Sequence, residues 1–177
     1  MNKVAKFEKV SYNEFKEAIL DFYVDNFSDY LDEDEIKKIY DEIKLPKRST
    51  TGSAGYDFYN NTGLDLDIVT GKTLKIPTGI RCKMDEGWVF IGFPRSGLGF
   101  KYRLQLDNTV GIIDSDYYYS DNEGHIFLKV TNDSKTVKMC DIEKGKAFAQ
   151  GIFLPYGITE DDDATGIRNG GFGSTDK

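Results

Sequence analysis

The chain has 177 residues, of which 39% are apolar and 14% aromatic, and a formal net charge of −7. That length fits a single domain, and the composition is apolar enough to build a core rather than a disordered chain. The negative balance argues against broad binding to nucleic acid or an anionic membrane, and no apolar run approaches the roughly 20 residues of a membrane-spanning helix.

In chain order, residues 4–10 read as a short strand. Ser11 and Glu14 then form the signature of a capping box, and Phe15, Ile19, Phe22 and Tyr23 make one helical stripe. A second helix is signalled by Asp32 at its N-cap with Glu35 three residues on, and by Leu31 facing Ile36 as a staple. Its stripe of Ile36, Ile39, Tyr40 and Ile43 runs until Pro46 stops it. Both helices carry acidic outer faces, which suit either a solvated packing hairpin or a surface for a protein partner.

From Thr51 onward the pattern changes to short strands separated by Gly, Pro, Asn and Asp. Candidate strands are 54–59, 64–69, 73–76, 79–84, 88–93, 104–108, 110–113, 125–132 and 147–154. Many short strands at this spacing predict a mainly β barrel or jelly-roll sandwich. Residues 1–177 therefore read as one domain, with 11–45 a helical insertion and 160–177 an Asp- and Gly-rich tail expected to be mobile without a ligand. The start MNKVAKFEKVSYNEF lacks the apolar core of a secretion signal, and Cys82 and Cys140 are isolated, so a cytoplasmic location with free thiols is expected. With a single histidine, His125, catalysis falls to carboxylates, Arg, backbone N–H groups or a metal.

Four segments pair flexible backbone with suitable side chains. PRSGLG (94–99) offers an Arg fork, a hydroxyl and Gly N–H groups, as a phosphate grip does and as an ion-paired turn also does. In NTVGIIDSDYYY (108–119), Val110, Ile112 and Ile113 are expected to be buried. Asp114 would then leave an apolar strand in a partly desolvated place, either as a turn cap or as a general base. KGKAFAQGIF (144–153) reads as a turn entering a strand that carries Gln150. RNGGFGST (168–175) is either an uncommitted C-terminus or a tail that closes over a ligand.

In this order, with SAGYDF (53–58) ahead of them, these segments resemble the five motifs of the trimeric dUTP pyrophosphatase (dUTPase) family. The resemblance runs from about Lys47 to the end and leaves the helical pair outside, as an insertion after the first strand. It implies a distorted jelly-roll β-barrel and a homotrimer with three shared sites that hydrolyse dUTP to dUMP and pyrophosphate. It also implies that Asp114 activates the water attacking the α-phosphorus. Tyr117 would pack on the deoxyribose and exclude UTP, while Asn108 and the 108–113 hairpin, Gly111 included, would read uracil. Arg95, Ser96, Gly97 and Gln150 would bind phosphate, and Asp57 would hold Mg²⁺ through water. In the tail, Phe172 would cover uracil, with Gly173 beside it, and Arg168, Ser174 and Thr175 would reach the γ-phosphate.

Three departures from the family pattern stand out. Lys146 and Ala147 replace an Asp and an Arg, Arg168 lies one residue closer to the Gly-Gly pair, and YYSDNEG (118–124) enlarges a tight turn. Two other readings compete. A dCTP deaminase of the same superfamily would use Glu123 to activate water. A nucleotide-sensing regulatory protein, of the kind phages encode, would bind a partner through the helices or the enlarged loop.

Overall fold

The computed structural model of the chain describes residues 2–170. Strand β1 (Ala5–Lys9) leads into helices α1 (Tyr12–Phe27) and α2 (Glu33–Asp41), followed by β2 (Lys47–Arg48), β3 (Tyr56–Tyr59), β4 (Leu66–Val69), β5 (Thr73–Pro77) and β6 (Ile80–Met84). Next come β7 (Trp88–Pro94), α3 (Ser96–Tyr102), β8 (Leu104–Leu106), β9 (Gly111–Ile113), a 3₁₀ turn (Ser115–Tyr119), β10 (Phe127–Asn132), β11 (Met139–Ile142) and β12 (Ala147–Pro155). The ladders form four sheets: β1-β6, β5-β10-β8, β11-β4, and the five-stranded β2-β3-β12-β7-β9. This is the jelly-roll-like β architecture expected, and the pairs that build it are antiparallel.

Strands β4 and β11 alternate buried and exposed residues, so each covers the core with one face. Strands β2 and β11 and helix α3 are additions to the expected set. The 108–113 hairpin is instead a turn between two sheets, because β8 pairs with β10 while β9 pairs with β7. Being an edge strand, β9 turns Ile112 outward at 62% exposure, which corrects its expected burial.

Both helices belong to the core. Phe15 and Ile19 are fully buried, Phe22, Tyr23 and Ile36 nearly so, and α1 packs on β5. At Gly79 (φ +71°) a Cβ would come within 2.7 Å of Ile43 and 3.1 Å of Phe15, so α1 and the segment that follows α2 sit directly on the β5–β6 turn. Helix α2 has the capping box expected of Asp32 and Glu35. Helix α1 has only half of one. The Ser11 hydroxyl accepts from the Glu14 N–H at 3.2 Å, but the Ser11 N–H donates to Glu123 at 2.7 Å and the Glu14 carboxylate goes elsewhere.

Cys82 and Cys140 are buried and free; burial pushes their thiols up to about 12 and about 11. Among the described residues no helix is long and apolar enough to cross a membrane.

Because Phe15 fills the seam between helix and sheet, Phe15→Ala is expected to cost about 3–5 kcal/mol. A urea titration followed by circular dichroism checks this. A loss below about 1 kcal/mol would mean that the helices pack independently of the sheet.

Candidate active site

A cavity of about 250 Å³ opens beside β9. Asn108, Gly111, Ile113, Asp114, Tyr117, Phe127 and Arg168 are among the residues that line it. Gly92 of β7 pairs with Gly111 of β9, and both belong to the lining, so this part of the wall is bare backbone. A surface of unhindered backbone polar groups above an apolar floor suits a flat heterocycle with its own donors and acceptors.

Asp114 leaves the end of β9 and is 43% exposed in its side chain, a more open setting than its apolar neighbours suggested. Arg168 Nη2 donates to Asp114 Oδ2 at 2.5 Å, and Arg168 Nε donates to Asp116 Oδ1 at 2.8 Å. The tail arginine is thus paired with the candidate base of its own chain. Tyr117 is buried; its hydroxyl donates to the His125 carbonyl at 2.7 Å and accepts from Asn122 Nδ2 at 2.9 Å. Burial raises the phenol above its ordinary range. With its hydroxyl occupied, Tyr117 offers the cavity a fixed ring.

The second group of expected residues lies elsewhere. Asp57 of β3 accepts from Ser49 Oγ at 2.8 Å and pairs with Arg95 Nε at 3.3 Å. Gln150 of β12 stands opposite Asp57 in the ladder, and its Oε1 packs where a side chain on Gly55 would go. Arg95 caps the start of α3, which carries Ser96 and Gly97. None of these residues lines the cavity. The β7 ladder explains the separation. Ile113 lies opposite Phe90, so Asp114 continues toward the Val89 end, while Arg95 follows the other end. Six residues of strand put them ~20 Å apart along β7. One chain brings together Asp114, Asn108, Gly111, Tyr117 and Arg168, and separately Asp57, Arg95, Ser96, Gly97 and Gln150. Phe172, Gly173, Ser174 and Thr175 lie outside the described residues.

Glu123 is engaged away from the cavity. Burial works to raise its carboxyl, but the Ser11 hydrogen bond, with Arg81 3.8 Å away, holds it below the ordinary range. Among the described residues no three His, Cys, Asp or Glu side chains converge on a metal position. One pair escaped the sequence reading. His125 is fully buried; its Nε2 accepts from the Gly79 N–H at 2.9 Å, so its proton sits on Nδ1, 3.0 Å from Glu14 Oε1. Its ring packs on Phe127 with centroids 4.2 Å apart. Nothing in the sequence signalled it, because Glu14 stands at capping-box spacing, which assigns its carboxylate to Ser11.

Sheet and cavity together define a jelly-roll-like β protein with a heterocycle-sized pocket that opens on a carboxylate. The dUTPase family model matches residues 41–176. A deoxyuridine 5′-triphosphate nucleotidohydrolase of Lactococcus lactis is 41% identical over 138 residues, covering 75% of this chain and 88% of its own length. A dUTPase from Streptococcus mutans has a similar structure, with a TM-score of 0.59 and 32% identity over 87% of this chain and 98% of that one. A mutant dUTPase of Staphylococcus aureus phage phi11, in which a structural Mg(II) ion is coordinated, shares the fold at a TM-score of 0.55 and 19% identity (68% and 89% coverage). The chain belongs to the dUTPase family.

Burial drives the His125 pKa down, against Glu14 and Glu123, which raise it; Lys75 adds to the lowering. The unfolded chain therefore binds this proton at a higher pH than the folded one. The stability contributed by neutral His125 is complete above about pH 6.5 and is lost as the pH falls below it. The urea midpoint should drop between about pH 7 and about pH 5.5, and the lone imidazole should titrate below 6.5 by NMR. A flat midpoint with an ordinary titration contradicts this.

Proposed function

We propose that the chain hydrolyses dUTP to dUMP and pyrophosphate, with Asp114 as general base. The observation that carries this reading is that Asp114 lines a cavity, walled in part by the bare backbone of Gly92 and Gly111, together with Asn108 and Tyr117. Uracil occupies the cavity, its edge read by the backbone near Gly111 and by Asn108. The Tyr117 ring fills the space a ribose 2′-hydroxyl would need. Water attacks the α-phosphorus and gives its proton to Asp114. The bond from that phosphorus to the bridging oxygen breaks, and pyrophosphate leaves with the electron pair.

Charge stabilisation comes from Arg95, Ser96, Gly97 and Gln150. Because these lie ~20 Å from Asp114 along β7, a second copy of the chain supplies them. This supports a homotrimer with shared sites. Asp57 already has Ser49 and Arg95 as partners, so the described residues offer no direct cage for a cation. It does suit a Mg²⁺ that arrives on the triphosphate and keeps its waters, with Asp57 reaching it through one of them. When bound, the ion neutralises phosphate charge. Arg168 exchanges its two carboxylates for the γ-phosphate and frees Asp114. Ser174 and Thr175 join it, while Phe172, next to Gly173, covers uracil. The reaction belongs to nucleotide metabolism, and the buried free thiols suit a cytoplasmic location.

Asp114→Asn should lower pyrophosphate release by far more than tenfold while dUTP still binds. Retention above about a tenth of the rate, worth only ~1.4 kcal/mol, sinks the general-base role. In the same assay wild type should prefer dUTP to UTP, dCTP and dTTP, and ammonia release from dCTP would favour a deaminase. Truncation after Ile167 should collapse the rate with the oligomer intact by gel filtration; an undiminished rate would remove the tail from the mechanism.

A further inference from the structure

The enlarged loop after Tyr117 and the start of α1 are held together by exchanged carboxylates. Glu123 from the loop takes the Ser11 N–H that a capping-box glutamate would ordinarily take. Glu14, released from that duty, reaches His125, 111 residues away. The loop is braced from the sheet as well. Tyr118 donates to Glu8 of β1 at 2.7 Å, and the Arg81 guanidinium of β6 lies over the Tyr118 ring at 4.6 Å.

His125 joins this brace to the cavity. Its two ring nitrogens are occupied by Gly79 and Glu14, so the imidazole cannot turn without losing one bond. Its carbonyl anchors the Tyr117 hydroxyl, and its ring packs on Phe127. Tyr117 and Phe127 are both part of the cavity wall. Packing α1 on the barrel needs only apolar contacts, and these are already supplied by Phe15 and Ile19. A buried imidazole with a carboxylate adds desolvation cost and gains one thing, a unique geometry.

We infer that Glu14 and His125 are positioning residues for the sugar side of the cavity, so that helix α1 sets how sharply the site separates a 2′-deoxyribose from a ribose. The inference rests on the reading of Tyr117 given above. Without the Glu14 acceptor the imidazole keeps only its Gly79 bond, so residue 125 is held less firmly, and with it the ring that backs Phe127 and the backbone carbonyl that accepts from the Tyr117 hydroxyl. The attacking water and Asp114 are untouched, so loss falls on KM and on selectivity rather than on kcat.

The test compares wild type, Glu14→Ala and Glu14→Gln in steady-state pyrophosphate release from dUTP and from UTP. In Glu14→Ala the ratio of kcat/KM for dUTP over UTP should fall about tenfold or more, with KM for dUTP raised and kcat within about threefold. Glu14→Gln, which keeps an acceptor oxygen, should restore most of the ratio. An unchanged ratio and KM in a folded Glu14→Ala overturns the inference. Should that variant fail to fold, wild type decides. Because the chain has one histidine, its imidazole resonances need no assignment, and saturation with dUMP should shift them; no shift overturns the inference. Wild type that fails to turn over dUTP, or does not prefer it to UTP, sinks the proposed function itself. An active, selective wild type beside an unaltered Glu14→Ala sinks only this step.

Discussion

Strand β7 is the constraint on which the site depends. It is paired on both sides, with β12 along its whole length and with β9 along its middle. The close contact requires glycine: a Cβ on Gly151 would lie 2.1 Å from the Phe90 ring and 2.8 Å from the Ile91 carbonyl. Once that ladder is in register, the chemistry is distributed. Asp114 emerges at one end, Arg95 at the other, and Gln150 and Asp57 follow across β12 and β3. A one-residue slip would turn every side chain on β7 to the opposite face. The same sheet that positions each group also keeps the proposed base and the proposed phosphate grip apart, and that separation is the physical argument for the proposed site between copies.

The helical pair is bound into this frame through Gly79. That residue closes the β5–β6 turn, accepts the Val10 N–H at 3.1 Å and gives its own N–H to His125. Its missing side chain leaves room for Phe15 and Ile43. A single backbone position therefore meets α1, the segment that follows α2, the residue that follows β1, and His125, whose carbonyl holds Tyr117. Helices fastened there are part of the fold, whatever their acidic outer faces do.

Much of this was legible in the sequence because it is local. The stripe Phe15, Ile19, Phe22 and Tyr23 repeats at helical spacing, the box of Asp32 and Glu35 is set by residues three apart, and Gly, Pro, Asn and Asp separate the short strands. Helix α3 was hidden by Gly97 and Gly99, which lower helix propensity enough to read as a loop. Strand β11 was hidden because Met139 is apolar yet exposed, which masks the inside–outside alternation of its four residues. Ile112 was misplaced because burial on an edge strand depends on which face a neighbour covers. The half-made box at Ser11 shows the limit most clearly. Two residues had the right spacing, but a loop more than a hundred positions away supplied the competing carboxylate. The order of motifs pointed to the site, whereas its division between the two ends of β7 follows from register, which no motif records.

The two cysteines give the molecule a built-in gauge. Only a thiolate reacts quickly with alkylating or disulfide reagents, and burial holds both sulfurs protonated and covered. Cys82 sits on β6 beside β1, and Cys140 on β11 beside β4, in two different sheets. Each sulfur becomes reactive only when its own sheet opens. The pace of labelling at the two positions thus measures, in the unaltered chain, whether the two halves of the barrel breathe together or separately.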